Sequence, residues 1–123
     1  CEMVRKIQPD CVLSIHQNSY PEEAIHGAQV FYYEDSSEGK KLAEILQKHL
    51  VEVLDKENHR QAKGNRTYYM LKKTEATLVI VECGFLSNNQ EALLLTDEKY
   101  QNKVAKAICS GTLEYLSSLA EKK

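Results

Sequence analysis

The segment TLVIVECGF, residues 77–85, constrains the fold more than any other stretch of the chain. It is apolar and rich in β-branched residues over 78–81, then sets down a carboxylate, Glu82, and returns to small and apolar residues. A continuous apolar run of this length predicts a strand covered on both faces, which requires a sheet layered with helices. An ionised carboxylate in such a strand is expensive enough to shift its own pKa or to recruit a cation. CVLSI (11–15) repeats the pattern and is followed by His16. In open α/β sheets the ligand crevice lies beyond the carboxyl ends of the strands. If the two strands run parallel, His16 and Glu82 therefore reach one rim of the sheet.

The rest of the chain supplies the layers. AQVFYY (28–33) and TYYML (67–71) read as further strands. Asp35 and Glu38 resemble a capping box, and Leu42, Ile45, Leu46, Leu50, Val53 and Leu54 recur at helical spacing, so a helix is expected over 39–54. Residues 55–66 read as polar loop. Ser87 with Gln90 predicts the start of a short helix ending near Leu94, and Thr96 the cap of a longer one with Tyr100, Val104, Ile108, Gly111 and Tyr115 on one stripe. The expected class is α/β, a twisted, mostly parallel open sheet covered by helices.

Composition removes several function classes. The 123 residues are one domain's worth, 42% apolar and 28% charged, and 16 basic against 18 acidic side chains give a formal charge of −2. Neither nucleic acid nor an anionic membrane is favoured as a partner by that balance. No apolar run approaches the roughly 20 residues that cross a bilayer. The opening CEMVRKIQPD lacks the apolar block of a signal peptide and reads as the tail of a helix turning at Pro9 and Asp10. Cys1, Cys11, Cys83 and Cys109 form no C-x-x-C pair, and the last three fall in apolar patterns as small hydrophobes.

A histidine and a carboxylate at one strand rim suit metal-assisted hydrolysis, since neutral imidazole ligates zinc and a nearby Glu takes a proton from a metal-bound water. The plainer alternatives are a hydrogen-bonded turn histidine and a glutamate in an ion pair. His49 falls beside the apolar stripe of the first long helix and reads as a helix-face residue, whereas His26 and His59 lie in loops.

LSIHQNSY (13–20) resembles the S-I-H-x-N block of the zinc-dependent N-acetylmuramoyl-L-alanine amidases, and VIVECGFLSNNQEALLL (79–95) their V-E-x-G-F-L-S-N-x-x-E block. GAQVFYY and YYMLKKT match the strands between, and HGAQVFYY with NHRQAK is most similar to the spore-cortex amidases. The resemblance implies that His16 is a ligand of one Zn²⁺, that Glu82 is the catalytic carboxylate, and that the substrate is peptidoglycan, placing action outside the cytoplasm at the cell envelope. Asn18, Arg60 and Arg66 are candidate substrate contacts, an arginine being suited to bidentate capture of a carboxylate. Gly84 is expected to turn the backbone after Glu82, Phe85 and Leu86 to pack the following helix, and Ser87 and Asn88 to cap it.

The departure from the family pattern is as informative. A G-H-G-G-like motif and a downstream glutamate that supply the other two protein ligands are absent from the sequence. Residues 1–123 therefore read as the carboxyl-terminal portion of a single amidase domain lacking its first strand and helix units. One imidazole does not make the usual three-ligand catalytic site, so the chain by itself is expected to be inactive. Two other classes stay open at this point, namely a non-catalytic wall-binding or regulatory module on the same scaffold, and an α/β interaction domain in which His16 and Glu82 simply pair.

Overall fold

Strand β4 (Leu78–Phe85) is buried along its whole length and organises the sheet. The structure, a computed structural model, describes residues 6, 9–18, 26–67, 76–85 and 87–121. β1 (Val12–Asn18) runs parallel to β4 on one side, and β2 (Gln29–Tyr33) antiparallel on the other. A three-residue strand, β3 (Lys63–Asn65), pairs parallel with β2 at the far edge, giving the order β1-β4-β2-β3. The α/β class and the strands at 11–15, 28–33 and 77–85 are as expected. Two of the three pairings are parallel, and β2 makes the sheet mixed.

Alternation along the strands sorts the side chains into two faces. Val30, Val79, Val81 and Cys83 face α1 (Ser37–Leu54) and α3 (Glu98–Glu121), and build the main core with Leu42, Leu46, Leu50, Val104, Ala107 and Tyr115. The opposite face carries a smaller cluster in which Val12, Phe31 and Tyr33 pack on the buried Leu78 and Ile80. The helices approach closely at Gly111, where an added Cβ would lie 2.8 Å from Leu46 Cδ2. Tyr115, the last residue of α3's buried stripe, donates its hydroxyl to Glu38 Oε2 at 2.7 Å and so ties the carboxyl-terminal half of α3 to the start of α1.

Several boundaries differ from the sequence expectation. α1 is capped by Ser36, whose hydroxyl accepts from Gly39 N at 2.9 Å, and not by Asp35, which is drawn instead to Arg66. α2 (Asn89–Leu95) is capped by Asn88, one of the two capping candidates, its side chain accepting from Glu91 N at 3.1 Å. Thr96 closes α2, and Asp97 takes the cap of α3 by accepting from the amides of Lys99 and Tyr100. In each case two adjacent residues have capping chemistry and the tertiary phase of the helix selects between them. The loop assigned to 55–66 contains β3. The strand assigned to 67–71 lies outside the described residues except for Thr67, as does the opening helix tail except for Lys6.

Gln47, buried on the inner face of α1, accepts from Val30 N at 2.8 Å and donates to Ala28 O at 3.0 Å. It thereby stitches the start of β2 to the helix layer. Ala28 O also receives Asn58 Nδ2, so replacing Gln47 strands chiefly the Val30 amide. Gln47→Leu is expected to lower unfolding free energy by about 1–3 kcal/mol, the penalty for one buried donor left unmet, read from urea midpoints at an unchanged m-value.

Candidate active site

The register of β1 on β4 sets His16 directly beside Glu82. Residues opposed in a ladder project from the same face, so the imidazole and the carboxylate share the sheet face away from α1 and α3. On the other flank of β4, Gln29 pairs with Glu82 in the antiparallel ladder and joins the same face. Three neighbouring strands thus set out a polar row, His16, Glu82 and Gln29, next to the apolar row of Ser14, Ile80 and Phe31 in which only Ser14 is polar. The alignment ends there, because the register shifts between His16 and Asn18 and the backbone of Asn18 comes level with Phe85.

Burial differs sharply along this row. Glu82 is 3% exposed and its Oε1 is shielded from solvent, whereas His16 is open to solvent. Ser14, two residues back on β1 and therefore on the same face, lies with its hydroxyl 2.8 Å from His16 Nε2. The sequence reading left the second partner of the imidazole unidentified, although the alternating S-I-H pattern already puts serine and histidine on one face.

Gln29, 9% exposed, spans to the next segment of chain. Its Nε2 donates to Gln61 O at 2.9 Å, and its Oε1 accepts from Arg60 Nη1 at 2.9 Å. Arg60 Nε donates to His26 O at 2.8 Å, and the guanidinium carbon sits 5.4 Å from the centre of the Phe85 ring. Arg60 therefore belongs to the polar row. Arg66 does not. It follows β3, whose last residue pairs with Tyr33 at the far end of β2, and its guanidinium is held by Glu34 Oε2 and Asp35 Oδ1, each at 2.8 Å. Those carboxylates, Asp35 foremost, raise its pKa further. The side chain of Asn18 and most of the segment 17–27 lie outside the described residues.

Glu91 is a functional candidate that the sequence reading passed over, although it closes the V-E-x-G-F-L-S-N-x-x-E block. Its two oxygens accept from Phe85 N and Gly27 N, both at 2.9 Å. One carboxylate so fastens the carboxyl end of β4 to the residue that leads into β2. Gly27 has φ +99, a conformation that favours glycine, and sits against the Asn58 side chain. Gly84, expected at a sharp turn, lies inside β4. There its missing Cβ makes room for Glu91 Oε1 and Leu95 Cδ1, each 3.3 Å from where a Cβ would be. His49 faces Glu114 across the helix pair at 3.2 Å, in keeping with a helix-face role, and His26 and His59 are exposed.

The donor set toward a metal is modest. Among the described residues no three His, Cys, Asp or Glu side chains converge, so the row offers one imidazole with a carboxylate at its side. An exposed imidazole beside an enclosed carboxylate fits one ligand and the adjoining base of a hydrolytic zinc site.

The chain matches the family described as N-acetylmuramoyl-L-alanine amidase over residues 1–114. The germination-specific N-acetylmuramoyl-L-alanine amidase of Bacillus subtilis is 35% identical over 116 residues, covering 94% of this chain and 48% of that protein. Among solved structures, the CwlD amidase of Clostridioides difficile, in complex with the GerS lipoprotein, is 41% identical with a TM-score of 0.91, over 95% of this chain and 59% of that one. An N-acetylmuramoyl-L-alanine amidase of Clostridium difficile 630 aligns with a TM-score of 0.88 at 28% identity, over 95% of this chain and 63% of that one. The chain spans about half the length of the curated relative and less than two thirds of these two structures.

Cys83 adjoins Glu82 but points into the helix-side core, where burial, with the negative charge of Glu82 as a lesser cause, pushes its thiol up to about 11. A pKa raised in this way keeps the sulfur protonated and unreactive at pH 8. Alkylation of the native protein at that pH is expected to label the exposed Cys109 and spare Cys83 until denaturant is added, as peptide mass mapping would show.

Proposed function

The chain belongs to the N-acetylmuramoyl-L-alanine amidase family, and on that premise we propose that it forms part of a peptidoglycan hydrolase cleaving the amide between the lactyl group of N-acetylmuramic acid and L-alanine. The observation that carries this reading is the pairing of His16 with Glu82 in the β1–β4 ladder. Glu82 takes the proton of the attacking water and returns it to the departing amine of alanine. Its place in a buried strand, with Gln29 on one side and β1 on the other, fixes the carboxylate for both strokes and limits exchange with bulk water.

His16 is the metal ligand of this row, held in orientation by the Ser14 hydroxyl. A bound Zn²⁺ would supply a Lewis acid for the amide carbonyl and lower the pKa of a coordinated water toward ~7. The ligands that complete such a site come from outside the described residues, and the chain on its own is expected to be inactive. Asn18, on the same rim, and Arg60, bonded to Gln29, are the substrate contacts of this reading, whereas Arg66 lies at the other rim with its guanidinium held by Glu34 and Asp35. The substrate places the reaction at the cell envelope. Similarity to a germination-specific amidase and to an amidase solved in complex with a lipoprotein favours a sporulation or germination setting with an accessory partner.

In the complete protein, Glu82→Gln should retain zinc and lose turnover of purified peptidoglycan by about 10²–10⁴-fold, the usual worth of a general acid–base group. Unchanged release of amino-terminal alanine would remove Glu82 from the role. His16→Ala should lower the zinc-to-protein ratio after dialysis, measured by elemental analysis, with the secondary structure seen by circular dichroism preserved. Full zinc occupancy in that variant would take His16 out of the site.

A further inference from the structure

We propose that Arg60 forms a subsite for a free carboxylate of the peptide stem, so that the protein discriminates substrates by the charge of the stem beyond the scissile bond. The inference rests on the amidase reading above and adds to it a determinant of specificity.

Arg60 is held by four contacts. Its backbone amide donates to Asn58 Oδ1 at 3.0 Å, its Nε to His26 O, its Nη1 to Gln29 Oε1, and Phe85 lies against the guanidinium. These contacts use two of the five N–H donors of the guanidinium and hold the plane in one orientation. The partners are two oxygens of neutral groups and a neutral ring, and among the described residues no carboxylate lies within ion-pairing distance of Arg60. A fixed cation with its outer N–H groups and its charge unspent is preorganised for a bidentate anion, because the ordering entropy of the side chain is already lost. Arg66 is the internal contrast, its charge answered by Glu34 and Asp35.

Position selects the anion. Gln29 stands opposite Glu82 in the ladder and accepts from Arg60, which puts the guanidinium about two strand spacings, or about 10 Å, from the carboxylate that performs the chemistry. An extended chain covers that distance in roughly three residues. The group met there belongs to the stem peptide and not to the amide being broken, and the anionic groups native to that stem are carboxylates.

The test compares two soluble muropeptides, one with free stem carboxylates and the other with them amidated, as substrates for the complete zinc-loaded protein and its Arg60→Gln and Arg60→Lys variants. The unmodified protein should prefer the free acid by about 10- to 100-fold in kcat/KM, the range of a charge-assisted hydrogen-bonded contact, chiefly through KM. Arg60→Gln should abolish that preference, the free acid losing about 10- to 100-fold in kcat/KM and the amidated substrate less, and Arg60→Lys should restore part of it. A protein indifferent to amidation, or a preference that survives Arg60→Gln, overturns the subsite while leaving the amidase reading in place. Should Arg60→Gln fail to fold, Arg60→Lys with an undiminished preference decides against the proposal and a reduced one decides for it. Absence of turnover on both substrates by the unmodified protein overturns the amidase reading and the subsite with it.

Discussion

Everything at the site depends on the parallel pairing of β1 with β4, and in particular on its register. A shift of one residue would bring His16 opposite Val81 or Cys83 and turn it toward the helix layer, separating the imidazole from the carboxylate by a full sheet thickness. The register is secured by burial. Leu13 packs into the core that contains Val79 and Val81, and Val12 packs with Leu78 and Ile80 on the opposite face, so a slip would drive both sets of apolar side chains into the wrong environment. Since fully burying one such side chain is worth about 1.5–3 kcal/mol, alignment of the polar pair follows from apolar contacts made elsewhere along the two strands.

Polar side chains then fix the strand ends, where the apolar contacts give out. Gln47 anchors the entrance of β2 to α1, and Glu91 ties the exit of β4 to the glycine that precedes β2. Asn58 links the β2 entrance to the segment that carries Arg60. These are charge-assisted or buried bonds to backbone groups, so each constrains the path of the chain as well as a side chain. They converge on the rim where β4 ends and β2 begins. Sheet twist and core packing alone would leave that rim free to splay.

These two kinds of interaction differ in how far they can be read from sequence. The strands at 78–85 and 12–18 and the helix at 37–54 announce themselves by apolar pattern, and the amidase blocks fall on the rim formed by β1 and β4. β3 escaped notice because KGN has neither β-branched residues nor alternation. It is a strand only because β2 offers it an edge. The caps moved by one residue at Ser36 and Asp97 because neighbouring residues compete with equal chemistry. Arg60 and Arg66 are six positions apart and alike in composition of their surroundings, yet the first is bound to neutral oxygens and the second to two carboxylates. That distinction is a matter of which residues from 26–35 come alongside, which no local pattern encodes. Glu91 was visible as a letter of a motif, but its work as a two-amide clamp needs the strand that it reaches back to.

The placement of Gln29 resolves an electrostatic conflict within the row. On the amidase reading Glu82 would take up a proton and give it back while Arg60 stayed charged, with Gln29 standing between them. Direct contact between guanidinium and carboxylate lowers a carboxyl pKa by about 1–3 units, which would hold the acid ionised and weaken its hold on the proton it must carry. Gln29 stands at the position where such a contact would form, opposite Glu82 in the ladder, and gives Arg60 an amide oxygen in place of a carboxylate. Its amide nitrogen is occupied by Gln61 O, so the side chain is not free to turn its oxygen elsewhere. A neutral, doubly bonded spacer thus keeps cation and base in fixed relation without allowing them to pair. Replacing it by glutamate would place a carboxylate beside Arg60 and answer its charge, whereas leucine would remove the guanidinium's bond to this strand. Of the side chains that fit this place in the ladder, an amide alone serves both neighbours.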